Sequence, residues 1–211
     1  MTKLQPAANH SGLEVSAGID TEPEGVIALD PGLAAIWELA APLLKVRDND
    51  AHTLYALGLA RALLAAQPEA DAAVILPAIM LHDIGWSQVP PAEVLQAIAP
   101  GGGRPDLVLL HEKEGARLAA GILADAGYDP AKVPAILAII DGHDSRREAL
   151  SIDDAIVKDA DKTWRLSPHG IDTVMDWTAA WRSASAASAS TGTCSPRKPR
   201  RSPGRCRCWN R

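Results

Sequence analysis

Apolar residues recur at spacings of three and four through residues 30–181, the period of helices that bury one face. Asp30-Pro31 reads as an N-cap followed by proline at the first helical position. The helix it opens carries Leu33, Ile36, Trp37, Ala40 and Leu44 on one side. Asp48-Asn49-Asp50 breaks that pattern and offers a new cap for a second helix over 51–66, with Leu54, Leu57, Leu63 and Leu64 as core candidates and His52 in its first turn. A third helix over 69–83 ends in His82-Asp83, with Gly85 as its stop and Pro77 expected to kink it. A short helix over 89–98 leads into a flexible connection, Pro100-Gly101-Gly102-Gly103.

The most regular amphipathic stretch is 107–125. Leu107, Leu110, His111, Ala116, Leu118, Ile122 and Leu123 share its apolar arc, and Gly127 suits a C-cap. Glu112 and Glu114 read as a solvated face, with orientation of a ligand histidine by one of them as the alternative. Helices over 130–140, 152–164 and 168–181 complete the pattern.

Composition sharpens this to an all-α protein. The chain has no Phe and two Tyr, so strand-forming aromatics are scarce. At 211 residues it suits one domain plus tails. Residues 1–29 mix Gly, Pro, Ser and acids without periodicity and read as a flexible N-terminal segment; 30–181 reads as the helical domain. The last stretch, 182–211, is a basic low-complexity tail without apolar period, expected to be disordered or non-native, for example read from a shifted frame.

Charge and cysteine usage follow the same division. Eight of the 21 basic residues lie in 182–211, which has no acid, so the remainder holds 13 basic and 26 acidic residues, a net −13. So acidic a body is a poor binder of nucleic acid, and any phosphate it handles should be small and held by local cations. Cys194, Cys206 and Cys208 all lie in the tail, so a metal in the body must be held by His and carboxylates. The N-terminus shows no apolar core of the length export requires, and the longest apolar run, Ala72–Leu81, is too short to span a bilayer, which leads to the expectation of a cytoplasmic protein.

Four of the six histidines, His52, His82, His111 and His143, fall near the ends of predicted helices, at gaps of 30, 29 and 32 residues; Asp161 follows eighteen further on. Each gap is about one helical hairpin, which in an antiparallel bundle brings the chain back to the same end. His82 beside Asp83 is a nitrogen/oxygen ligand pair, and burying it costs several kcal/mol, by order of magnitude, unless a partner such as a metal satisfies it. His10 and His169 have no such placement. Trp86 follows the His-Asp turn directly and is the aromatic expected to touch substrate, while Arg146 and Arg147, just after His143, are candidate phosphate grips, with Lys113, Lys158 and Lys162 as weaker ones.

The ordered set H…HD…H…H…D, with LHDIG around the pair, HEKEGA at His111 and DADK at Asp161, resembles the HD-domain superfamily of metal-dependent phosphohydrolases. The resemblance covers roughly 30–180 and implies an HD-domain helical bundle. Position by position, His52, His82, Asp83 and Asp161 resemble the family's basic metal site, with Asp159 as a neighbour that could compete for the last role. His111 and His143 match the extra ligands of its binuclear branch, in which Asp83 would bridge both ions.

The resemblance therefore implies hydrolysis of a small phosphate ester or nucleotide by a metal-bound hydroxide, with His82 and Asp83 at the catalytic centre. Two divalent transition-metal ions are expected, iron or manganese first, with zinc, cobalt or nickel also tolerated by such ligands. Two alternatives stay open: a diiron oxygenase of the same superfamily and a non-catalytic regulatory or ligand-sensing module. The expected partner is a small phosphorylated molecule, with neither membrane nor nucleic acid; since helical domains with exposed apolar seams often pair, a homodimer is an open expectation.

Overall fold

The computed structural model of the chain describes residues 28–97 and 103–190. Among these residues there are helices and no strand. The N-terminal segment to residue 27, with His10, the glycines Gly101 and Gly102 of the connection, and the tail from 191, with its three cysteines, lie outside the described residues.

Helix α1 (Pro31–Ala40) starts where Asp30-Pro31 predicts, the Asp30 carboxylate accepting from the Leu33 N–H at 2.9 Å. It runs into a 3-10 segment, Ala41–Asp48, so that Leu44 still reaches the core. Helix α2 (Asn49–Leu64) begins at the expected break without a side-chain cap; instead the two residues before it, Arg47 and Asp48, both adopt φ 57°.

Helix α3 (Ala72–Leu81) is the central element. Val74, Ile75, Ala78, Ile79, Met80 and Leu81 are all buried, and it packs against α1, α2, α6 (Val133–Ile140) and α7 (Ile152–Thr163). A helix that is apolar all round belongs in the middle of a domain. Asp71 caps it by accepting from the Ala73 N–H, and ties it outward by accepting from Lys132 at 2.6 Å and donating its own N–H to Asp153 at 2.8 Å.

Pro77 sits inside α3 without ending it. Proline has no N–H to donate to the carbonyl four residues earlier, that of Ala73. The Tyr128 hydroxyl supplies the missing bond, donating to Ala73 O at 2.6 Å.

After α3 the chain turns through His82-Asp83 into a 3-10 turn, Ile84–Gln88, then α4 (Pro91–Ala97) and the long α5 (Pro105–Asp125). Gly85 serves less as a helix stop than as a point of backbone contact. A Cβ there would lie 1.8 Å from His111 O and 2.6 Å from Gly115 N, so the turn and α5 touch backbone to backbone. Gly115 is equally close-packed, against Ile140 of α6.

The arc expected on α5 is displaced. Leu110 is 38% exposed, whereas Glu112, placed on the solvated face, is fully buried. The final helix α8 (Pro168–Ser190) follows a 3-10 turn at Trp164–Leu166 and runs nine residues past the predicted boundary at 181. No helix among the described residues is long and apolar enough to cross a membrane.

Tyr128→Phe should lower unfolding stability by about 1 kcal/mol, the net worth of one hydrogen bond to a proline-orphaned carbonyl. Gly85→Ala should cost about 3 kcal/mol or more, because the collision is with backbone rather than with a side chain that can turn aside. Urea denaturation checks both; a Gly85→Ala midpoint equal to that of the parent would mean α5 does not rest on this turn.

Candidate metal centre

Each of the four spaced histidines arrives on a different element. His52 stands in the first turn of α2, His82 at the C-terminal cap of α3, His111 in α5, and His143 in the turn after α6. All four are buried, and so are Asp83 and Asp161. Asp159, the alternative to Asp161, points to solvent instead.

Two of the imidazoles are oriented the same way. His82 donates its Nδ1–H to Ile79 O at 2.7 Å, and His143 donates its Nδ1–H to Ile140 O at 2.9 Å, in each case a carbonyl three residues back. That fixes the tautomer and leaves both Nε2 atoms to face the interior of the cluster.

The donor atoms fall into two sets. In one, His52 Nε2 is 3.0 Å from His82 Nε2 and 3.2 Å from Asp161 Oδ1, and His82 Nε2 is 3.7 Å from the same oxygen. Asp83 Oδ2 lies 3.5 Å from both imidazoles. In the other, His111 Nε2 and His143 Nε2 are 3.3 Å apart and lie 3.8 and 3.6 Å from Asp83 Oδ1. Asp144 Oδ2 joins this second set at 3.8 and 3.9 Å. The two oxygens of Asp83 thus serve different sets.

These spacings suit cation binding. Ligands about 2.1 Å from one ion are separated by about 3.0–4.2 Å, which covers the distances just given. The donors that lie within 4.8 Å of one another form three overlapping triads: His52, His82 and Asp161; His82, Asp83 and His143; and His111, His143 and Asp144. The chemistry of the donors fits as well, since neutral imidazole and carboxylate are ligands for divalent first-row metals.

Electrostatics point the same way. Burial opposes ionisation of Asp83 and Asp161, yet the facing imidazoles outweigh it and hold both well below the usual carboxylate range. In turn, despite its burial, His143 is pushed up to about 10 by Asp83 and Asp144, and His82 is raised by Asp83 and Asp161. His111 is pushed down to about 4, by burial and by the charge on His143. The carboxylates demand positive charge, which a proton or a divalent cation can supply, and the two compete for the same nitrogens.

The turn carrying His143 is clamped from both sides. Buried Glu112 accepts from the N–H groups of Asp144 and Ser145 at 2.8 and 2.7 Å and from the Ser145 hydroxyl at 2.7 Å. Lys158 of α7 donates to the carbonyls of Gly142, His143 and Arg146 at 2.8–3.0 Å. Lys158 is thereby corrected from a candidate phosphate grip to a strut.

Arg146 is corrected likewise. It donates to Asp141 O, Ala138 O and the buried Asp154 carboxylate, and Arg147 is exposed; neither lines the cavity above the cluster. The exposed turn that carries them folds back on α7 rather than over the metal centre.

That cavity, of about 380 Å³, opens onto His52, Asp83 and Asp161. Trp86 is on its wall, but its ring is stacked on His111 at 3.9 Å and its Nε1–H donates to Asp83 Oδ1 at 3.0 Å. Trp164 borders it too, edge-on to His52 at 4.4 Å. His169 stays outside the cluster, stacked on Tyr55 at 4.8 Å and accepting from Trp164 Nε1.

Residues 49–166, more than half of the chain, match the family model described as the HD domain. The chain belongs to the HD domain family. That family consists mostly of metal-dependent hydrolases, and the buried His/Asp groups of this HD domain are compatible with a divalent metal. Comparison with curated proteins and with solved structures finds no significant match.

Asp144 and the cavity-lining Arg47 were not singled out in the sequence, and Glu112 was read there as a solvated face with orientation of a ligand histidine as the alternative. Asp144 had a visible signal, because it makes with His143 a second His-Asp pair in the chain. Glu112 stands beside His111, but its burial depends on a turn 32 residues away.

Glu112→Ala should strand two partly buried N–H groups and lower stability by about 1–2 kcal/mol. It should also cut metal uptake, by freeing the His143 turn, whereas His169→Ala should leave metal content unchanged. Urea denaturation and elemental analysis read the two effects.

Proposed function

We propose that this HD domain hydrolyses a phosphate ester of a small molecule or nucleotide, using two divalent cations held by His52, His82, Asp83 and Asp161 on one side and Asp83, His111 and His143 on the other. The single observation that supports it best is Asp83, whose Oδ2 faces His52 and His82 while its Oδ1 faces His111 and His143. Iron or manganese suits this donor set, and zinc, cobalt and nickel are tolerated by it. When bound, such a pair supplies Lewis acidity and a water of lowered pKa for attack on phosphorus.

The chain's own part is positional. Ile79 O and Ile140 O lock two imidazoles in one tautomer, and the Trp86 indole N–H fixes the Asp83 carboxylate from the cavity side. Four imidazoles bring no negative charge, so the two carboxylates leave the bound cations with a surplus of positive charge toward a phosphate. The cavity holds a small molecule rather than a polymer, consistent with the acidic body repelling nucleic acid.

The test is metal content and phosphate release on the same preparation. The full chain should purify with, or take up, about two manganese or iron ions, falling to about one in His111→Ala. It should release phosphate anaerobically from a monoester or diester panel, with a loss of at least about 100-fold in Asp83→Ala, the scale of removing one charge-stabilising group. Turnover that requires oxygen would replace hydrolysis with the oxygenase reading. Two bound ions with neither activity would favour a ligand-sensing module, and no bound metal would end the proposal.

A further inference from the structure

The entry to α2 carries three energetic oddities within three residues. Arg47 and Asp48 are consecutive non-glycine residues at φ 57°, a left-handed conformation that L residues adopt at a cost and that clusters at functional sites. The Arg47 guanidinium carbon lies over two indoles, 4.7 Å from the ring centre of Trp86 and 4.5 Å from that of Trp177 of α8. Yet its Nε and Nη1 are buried without a hydrogen-bond partner. Two residues on, Asn49 is fully buried, and neither atom of its carboxamide has a partner.

Arg146 of the same chain shows the difference in degree: its Nη1 and Nη2 donate to two carbonyls and a carboxylate, and only its Nε is buried without a partner. Arg47 gains two aromatic contacts and no hydrogen bond for its Nε or Nη1. The in-plane N–H groups along its edge are the part of a guanidinium that binds a tetrahedral oxyanion with parallel hydrogen bonds.

The edge belongs to the right cavity. Arg47 and Asn49 line the same 380 Å³ space as His52, Asp83 and Asp161. Through the stack Trp177–Arg47–Trp86–His111 the guanidinium is also in register with the candidate metal ligands. Arg165, exposed at the same cavity, adds a second cation.

We propose that Arg47 and Asn49 form an oxyanion cradle that holds the phosphoryl group of the substrate over the metal centre, Arg47 by its planar edge and Asn49 by its carboxamide N–H groups. The proposal deepens the hydrolase reading and rests on it for the identity of the anion. The two indoles act as the clamp that keeps the edge aimed, and the strained backbone at 47–48 is what brings the side chain between them.

The probe is inorganic phosphate, titrated calorimetrically into the manganese-loaded full chain, with metal per chain read on the same samples. Arg47→Gln should weaken phosphate binding at least about tenfold with metal content unchanged. Arg47→Lys, which keeps the charge but not the fork, should fall between it and the parent, and Asn49→Ala should weaken binding about three- to tenfold; these are the losses expected when charge-assisted or neutral hydrogen bonds are removed.

Should Arg47→Gln fail to fold, Arg47→Lys and Asn49→Ala carry the comparison alone. Equal phosphate affinity in parent and variants overturns the cradle while leaving the metal centre standing, and so does an absence of phosphate binding to the parent at millimolar concentration. If no metal is taken up, the hydrolase reading fails, and the same titration still decides whether Arg47 and Asn49 bind an oxyanion.

Discussion

A single carboxylate sets the geometry of this molecule. Asp83 leaves the central helix at its C-terminal end and offers one oxygen to His52 and His82, the other to His111 and His143. That division is possible only because the turn behind it lies against α5, so close that Gly85 has no room for a side chain. A residue with a Cβ there would push α5 away, and His111 with it. Trp86, next in the chain, then closes the arrangement by donating to Asp83 and stacking on His111.

Concentrating so many polar groups at one end of an apolar bundle has consequences elsewhere. Buried charges are tolerated when hydrogen-bonded or paired, and here they come in complementary sets. Glu112 takes the N–H groups of the His143 turn, Lys158 takes its carbonyls, and Arg146 crosses to the buried Asp154. The turn is therefore held by charged side chains from α5 and α7, and His143 is aimed by elements that never enter the cavity. Among the buried groups left without a partner are Arg47 Nε and Nη1 and both carboxamide atoms of Asn49 at the cavity, together with His52 Nδ1, His111 Nδ1, Thr53 Oγ1, Arg146 Nε and Asp154 Oδ1.

How legible this was depended on whether a residue's role is local. The helix start at Asp30-Pro31, and the return of a histidine every 29 to 32 residues, are written in short-range pattern and spacing, so the all-α class and the six converging positions could be read from the chain. Glu112 could not, because amphipathic periodicity sends a charged residue outward, and only the distant Asp144–Ser145 backbone makes an inward position tolerable. Leu110 is the other side of the same shift: with Glu112 turned in, the helix face rotates and leaves Leu110 partly exposed. Pro77 costs its helix one hydrogen bond, which a hydroxyl from Tyr128, 51 residues later, replaces. Arg47 was invisible because its position depends on two left-handed residues without glycine, for which sequence gives no signal. Arg146 and Lys158 were misassigned for the reverse reason, since a cation near a metal site looks like a ligand grip until its actual acceptors are known.

The central claim is that Asp83 stands between two cations. Anomalous diffraction from crystals of the manganese-loaded full chain, recorded on both sides of the manganese absorption edge, tests it directly. The account predicts two anomalous peaks flanking the Asp83 carboxylate, one within about 2.0–2.3 Å of donor atoms from His52, His82 and Asp161, the other at the same range from His111 and His143. A fully loaded crystal with no peak at this carboxylate, or with its manganese bound elsewhere on the chain, would contradict it.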